Sequence, residues 1–360
     1  MRDYFTPFAY NPTDLSRASA SLFLTRWITH FCAPVFVFLA GTSAYLYRRN
    51  GACTVAHLQR FLVTRGLWLV LLELTWVSFC WQFGYNGVIL QTIWSLGWSM
   101  VALAALLYLP LPVLLTIALG MILSHNLLDR IHGQDFGDYR LLWALVHESY
   151  LDRVWPRFFI AVSYPLVPWI GVMAVGYGFG RVLELERASR DRLLTCLGLA
   201  MITAFLVLRL SNFYGEPTAW EPNPRGIVYT VLGVLNTSKY PPSLLYLLMT
   251  LGPALLLMPW LERCRGAWAE HVAVFGRVPF FFYMLHLPLI HLAALVWTYT
   301  SFGAVTLGNF SQTTFPAGYA PSLLRAYLVW AAVILALYPL CRRYAICKQA
   351  HREKWWSSYL

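Results

Sequence analysis

The chain has 360 residues, of which 59% are hydrophobic, 16% aromatic and only 12% charged, with a formal net charge of +11 at neutral pH. A soluble domain of this length carries more charge, whereas repeated apolar runs of about 20 residues match a hydrocarbon core roughly 30 Å thick, so the composition describes a polytopic helical membrane protein. No compact basic module accompanies the positive charge; this excludes a nucleic-acid-binding role and leaves the excess for membrane orientation and anionic headgroups.

Residues 1–18 read as an exposed leader, because they lack both the apolar core of a signal peptide and the length of a span. A first helix is expected over about Ser19–Tyr47, kinked where Pro34 removes a backbone donor, and it ends at Arg48-Arg49-Asn50-Gly51. Thr54–Arg65 reads as a short interfacial helix, with Leu58, Phe61 and Leu62 at helical spacing between basic residues. Further spans are predicted at about Gly66–Phe83, Val88–Leu109, Leu111–His125, Phe158–Leu185, Leu193–Leu210, Pro242–Pro259, Pro279–Tyr299 and Leu323–Cys341. The fold class is therefore all-α, a membrane helical bundle of about nine transmembrane helices in this chain. One membrane-embedded domain covers 1–341 and a basic tail 342–360. The seven cysteines suggest no disulfide framework, and neither a zinc spacing nor a phosphate loop is present, so no metal is expected.

Basic residues sort the connections, since Lys and Arg near span ends resist export. Arg48, Arg49, Arg60 and Arg65 follow the first span, Arg181, Arg187, Arg190 and Arg192 the fifth, and Arg263, Arg265 and Arg277 the seventh. The tail adds Arg342, Arg343, Lys348, Arg352 and Lys354. These ends are assigned to the cytoplasm, and the longer connections of mixed charge, 126–157, 211–241 and 300–322, to the outer face. With nine spans the leader then lies outside, yet its Arg2 and Arg17 give it no means of crossing first. One further helix before Met1, a tenth, would resolve the conflict, and the expectation is that the chain starts at an internal initiation point.

Ionisable groups inside apolar runs are costly and mark candidate chemistry. His30 sits one turn before Pro34 and reads either as a base or donor toward a carbonyl, or as a histidine bonding a neighbouring helix. Tyr283 and His286 share one helix face at i and i+3, between Pro279 and Pro288, two prolines that interrupt their helix. Asn236-Thr-Ser-Lys239-Tyr-Pro-Pro-Ser243 reads as an ordered re-entrant loop whose Lys239 meets an anionic or carbonyl oxygen or anchors the interface. Arg209 and Glu73 need partners or water, and a structural ion pair is the expectation for Glu73. Tyr164-Pro165 through Gly171, and Gly176 to Gly180, offer small residues for close helix packing. Group transfer and transport both fit this set of residues.

The block Arg26-Trp-Ile-Thr-His30-Phe-Cys-Ala-Pro34 through Gly41-Thr-Ser, with Arg65-Gly-Leu-Trp-Leu-Val-Leu-Leu-Glu73-Leu-Thr75, resembles the bacterial branch of the heparan-alpha-glucosaminide N-acetyltransferase-like family. Pro168-Trp-Ile-Gly171, Asn236 to Leu244, and Gly276-Arg-Val-Pro279 through Tyr283 and His286 are similar to its later blocks. The resemblance implies a multi-helix membrane acyltransferase that takes an acyl group from cytoplasmic acyl-CoA to a sugar at the outer face. Family members begin with one more helix, ending in an Asp-His pair ahead of a segment like Arg2-Asp3-Tyr4-Phe5, which agrees with the missing tenth helix.

The expected function is accordingly transfer of an acyl group, acetyl in the first instance, from acetyl-CoA or another acyl-CoA to a hydroxyl or amine of an envelope glycan. His30 or His286 takes the acceptor proton, and Lys239, Tyr283 or Arg209 holds the developing oxyanion. Arg48, Arg49, Arg65 and Arg277 meet the phosphates of coenzyme A, which is a co-substrate and not a bound cofactor. The expected partners are the carbohydrate acceptor, acyl-CoA and lipids, and the expected location is the bacterial cytoplasmic membrane. The alternatives are a transporter or flippase for a glycan or lipid intermediate and, less favoured, a noncatalytic membrane scaffold.

Overall fold

A computed structural model describes residues 5, 11–51, 53–156, 158–303, 318–351 and 353–354. Arg2, Asp3, Tyr4, Arg352 and the 304–317 part of the outer connection lie outside the described residues. Among those described, eight helical runs are long and apolar enough to cross a membrane: Ala20–Asn50, Val55–Gln82, Leu111–Arg130, Leu166–Glu184, Arg187–Ser211, Leu244–Leu261, Pro279–Phe302 and Leu323–Ala350. The ninth expected span is the shorter apolar helix Thr92–Leu106, whose 15 residues rise about 22 Å at 1.5 Å each. The all-α polytopic reading therefore holds.

The helices fall into two units. The larger holds Thr13–Leu74 and Gly87–Glu262. Its helices are α1 (Ala20–Ile28), α2 (Cys32–Asn50), α3 (Val55–Leu72), α5 (Thr92–Leu106), α6 (Leu111–Ser124), α7 (Arg140–Val146), α8 (Leu166–Phe179), α9 (Arg187–Ser211), α10 (Ile227–Leu235) and α11 (Leu244–Leu261). The smaller holds Met1–Pro12, Thr75–Asn86 and Arg263–Leu360, with α4 (Ser78–Gln82), α12 (Ala267–Arg277), α13 (Pro279–Phe302) and α14 (Leu323–Ala350).

In lipid the apolar effect does not favour one helix pairing over another, so close backbone approach at small residues decides which helices meet. A Cβ on Gly41 of α2 would come 2.0 Å from the Met173 carbonyl, and one on Gly176 of α8 would come 2.1 Å from that of Phe38. The Thr42 hydroxyl donates across this seam to the Gly176 carbonyl at 3.0 Å. Gly66 of α3 and Gly97 of α5 face each other in the same way, each 2.5 Å from the other's carbonyl by an added Cβ.

Three features depart from the sequence reading. Thr54–Arg65 is not a separate interfacial helix: α3 runs from Val55 to Leu72 and continues through a π-turn at Glu73–Val77 into α4. Gly66, which suggested a boundary, serves helix contact instead. Second, residues expected as an outer loop and the start of a span form a three-stranded sheet, β1 (Gly87–Leu90), β2 (Tyr150–Trp155) and β3 (Phe158–Val162), in the order β1-β3-β2. β3 pairs parallel to β1 and antiparallel to β2. Phe-Phe-Ile-Ala-Val suits a strand as well as a helix, and Pro165 delays the span to Leu166. Third, the basic tail is helical as far as Ala350, as a continuation of α14.

Candidate functional site

Pro34 has no N–H to offer the carbonyl four residues back, which belongs to His30. The chain tightens there into a 3-10 turn, Thr29–Phe31, between α1 and α2. The hydroxyl of Tyr246 on α11 fills the freed acceptor, donating to the His30 carbonyl at 2.8 Å. The His30 ring lies 5.4 Å from that of Tyr246, nearly edge-on, and is buried. The break in the first span thus fixes both the backbone and the ring of the histidine.

Facing this break is the loop Asn236 to Ser243, held at both ends. Glu216 accepts the Ser238 N–H at 2.9 Å and the Ser243 hydroxyl at 2.6 Å. Ser243 in turn caps α11 by accepting from the Tyr246 N–H at 3.0 Å. Asn126 accepts the Leu244 N–H at 2.9 Å, and His125 Nε2 donates to the Pro242 carbonyl at 2.7 Å. The Tyr240–Pro241 bond is cis. The ordered loop expected from two adjacent prolines is therefore present, and its order comes from side chains of other segments.

This framing presents Lys239 and Tyr240 to Arg26 and Tyr164. The Lys239 ammonium lies 5.3 Å from the centre of the Tyr240 ring and 5.9 Å from that of Tyr164. Arg26 donates to the Tyr240 hydroxyl at 3.4 Å and to the Thr29 hydroxyl at 3.2 Å. The Tyr164 and Tyr240 rings meet edge-on at 5.5 Å. Tyr164 is buried, whereas Tyr240 is 38% exposed.

Burial pushes the Lys239 ammonium below its usual range, and Arg26 adds to the push against the opposing pull of Tyr240. Burial alone would raise the Tyr240 phenol; Lys239 and Arg26 outweigh it and bring the group below the usual phenol range. Tyr164, buried among other phenols, goes well above that range. The cluster so brings the Lys239 amine and the Tyr240 hydroxyl together, two donors of the kind that hold an oxyanion.

The other residues singled out in the sequence fall elsewhere. Arg209 supports the loop from behind: its guanidinium donates to the carbonyls of Thr218, Gly233, Val234 and Asn236 at 2.8 to 3.1 Å, closing the C-terminus of α10. Glu73 caps a helix, its carboxyl accepting the Trp94 N–H at 2.8 Å in the first turn of α5. Tyr283 and His286 lie in the smaller unit, on one face of α13 as expected, with rings 5.3 Å apart. His286 Nδ1 donates to the Tyr283 carbonyl at 2.7 Å, leaving Nε2 as the basic nitrogen of the neutral ring. Pro279 and Pro288 do not interrupt this helix: the first starts it and the second lies within its continuous run.

Arg48 donates to the Tyr177 hydroxyl at 3.2 Å and Arg49 pairs with Glu184 at 2.9 Å, both at the end of α2 away from His30. Arg65 lies 5.8 Å from the centre of the Phe61 ring. Arg277 lines a cavity of the smaller unit.

Sequence reading missed Arg26, Tyr164, Tyr240, Tyr246 and Glu216 as parts of the site. Two of them carried a signal, since Tyr164-Pro165 and Tyr240-Pro241 both place a tyrosine before a proline at the edge of a span. Neither curated proteins nor solved structures give a match to this chain. Residues 8–207, more than half of the chain, match the family described as heparan-alpha-glucosaminide N-acetyltransferase, catalytic. That region includes Arg26, His30 and Tyr164, and the chain belongs to the heparan-alpha-glucosaminide N-acetyltransferase catalytic family.

Proposed function

We propose that the chain transfers an acetyl group from acetyl-CoA to a hydroxyl or amine of a sugar, at the membrane face where Lys239 stands. The observation that carries this reading is the convergence of Lys239, Arg26 and Tyr240, with Arg26 one helical turn before His30 along the chain, in a chain of this family. The acceptor O–H or N–H gives its proton to the His30 imidazole as the oxygen or nitrogen attacks the thioester carbonyl. Negative charge on the carbonyl oxygen is met by Lys239 and the Tyr240 hydroxyl, each a donor of the kind whose removal slows acyl transfer roughly 100- to 1,000-fold. The carbon–sulfur bond then breaks, the new ester or amide forms, and coenzyme A leaves as its thiol after taking up a proton.

Coenzyme A phosphates meet Arg48, Arg49 and Arg65, which the basic connections assign to the cytoplasmic side. His30 and Arg48 are separated by about 27 Å of helix at 1.5 Å per residue, so the pantetheine arm enters between helices toward the acceptor. Arg209 acts as a positioning residue through α10 and the loop it precedes.

The test is release of free thiol from acetyl-CoA by membranes carrying the wild-type chain, His30→Ala, Lys239→Met or His286→Ala. The expected result is loss of acceptor-dependent release in the first two variants. Retention of full activity in both would overturn the assignment, and loss in His286→Ala alone would move the base to α13.

A further inference from the structure

In the smaller unit, α12 and the last turns of α14 enclose a cavity of about 330 Å³ lined on one side by Arg277 and Glu270 and on the other by Arg342 and Gln349. Its lining includes the His271 ring, which stacks on Tyr338 at 5.5 Å. Among the described residues, neither Arg277 nor Arg342 has a carboxylate partner. Two guanidinium groups with no carboxylate partner among the described residues, beside one cavity, offer a site for an anion.

The positions of the two arginines in the chain say which anion. Arg277 stands two residues before Pro279, where the α13 span begins, and Arg342 directly follows the apolar run of α14 that ends at Cys341. Both therefore lie at the level where a span leaves the hydrocarbon and phospholipid headgroups are found. α12 is built to lie along that level. Trp268 and Val272, at i and i+4 on one face, are 75% and 50% exposed, and Ile346 on the facing helix is 62% exposed. An interfacial tryptophan beside an amphipathic helix and these arginines is the pattern of a surface that takes apolar contact from acyl chains and charge from phosphate.

We infer that this cavity binds the phosphate of an anionic phospholipid headgroup, with Arg277 and Arg342 on the phosphate oxygens and Trp268 and Val272 against the acyl region. Among the described residues, Glu270 is the only carboxylate in the lining; it opposes the charge of the ligand and so tunes affinity downward. The inference uses none of Arg26, His30, Lys239 and Tyr240, and it assigns Arg277, expected from the sequence to meet coenzyme A, to a lipid phosphate instead.

The test uses the full chain in nanodiscs of phosphatidylcholine alone or mixed with phosphatidylglycerol, with retained lipid measured by native mass spectrometry and thermal unfolding recorded in parallel. Wild type is expected to retain phosphatidylglycerol over phosphatidylcholine. Arg277→Gln combined with Arg342→Gln should reduce that preference about 30-fold, the effect of two interfacial arginines. Glu270→Gln should increase retention several-fold, a gain that misfolding does not produce. Equal retention of the two lipids by wild type, or an unchanged preference in the double variant, would overturn the inference. So would protection of wild type, but not of the double variant, by coenzyme A with no effect of phosphatidylglycerol, since the cavity would then be a coenzyme A site.

Discussion

Pro34 removes a single hydrogen-bond donor from the first span, and the site forms around the acceptor it leaves open. The His30 carbonyl takes its hydrogen bond from Tyr246 of another helix. The same substitution of partners recurs in the smaller unit, where Pro288 frees the Met284 carbonyl and the Trp76 indole donates to it at 3.0 Å. A buried carbonyl left open costs about 1–3 kcal/mol, so Tyr246→Phe is expected to destabilise the chain by that amount in thermal or denaturant unfolding. Lys239→Arg tests the charge against the shape: it keeps the cation but replaces a compact ammonium with a planar fork, and acetyl transfer should fall to well below wild type yet stay above Lys239→Met. His30 and Lys239 were legible in the sequence because each is an ionisable group beside prolines at a span. Tyr164 and Tyr240 were not, because a tyrosine near a membrane surface is ordinary and only the pairing of two distant Tyr-Pro steps distinguishes them.

At the level of elements, buried charges here hold helix ends and loops in place. Arg209 donates to four carbonyls around the end of α10, and Glu73 accepts from the first turn of α5. Arg209→Met leaves those acceptors unmet, and a loss of at least about 1–3 kcal/mol in unfolding free energy is expected. Glu216 adds a pH dependence to the loop that carries Lys239. Burial pushes its carboxyl from the usual 4.5 up to about 7, against the hydrogen bond from Ser243 and the charge of Arg209. The folded chain then holds a proton that the unfolded chain has lost, so this contribution to stability is complete below pH 4.5 and disappears as the pH rises through about 7. Melting temperature should fall across that window in wild type and stay flat in Glu216→Gln; a flat wild-type profile would remove the assignment. The sequence showed that Arg209 and Glu73 require partners but not which ones, since backbone carbonyls and N–H groups have no signature in the side-chain pattern. β3 escaped for a related reason: a five-residue apolar run has no period long enough to separate strand from helix.

For the whole molecule, length and hydropathy were enough to read the spans, because a bilayer demands about 20 apolar residues from every crossing helix. Their packing was only partly readable. Gly176 was readable as a small packing residue, but Gly41, Gly66 and Gly97 were not, because the pairing of Gly41 with α8 and of Gly66 with α5 depends on chain routing. The family match joins this scaffold to acetyl transfer, and the cluster of Arg26, Lys239 and Tyr240 gives that chemistry a proposed location. The most direct measurement follows isotope-labelled acetyl-CoA through membranes containing the chain, with the sugar fraction extracted and analysed by mass spectrometry. The account predicts one labelled acetyl group on the acceptor for each coenzyme A thiol released, abolished in Lys239→Met. Movement of the acceptor across the membrane with no label incorporated would contradict it.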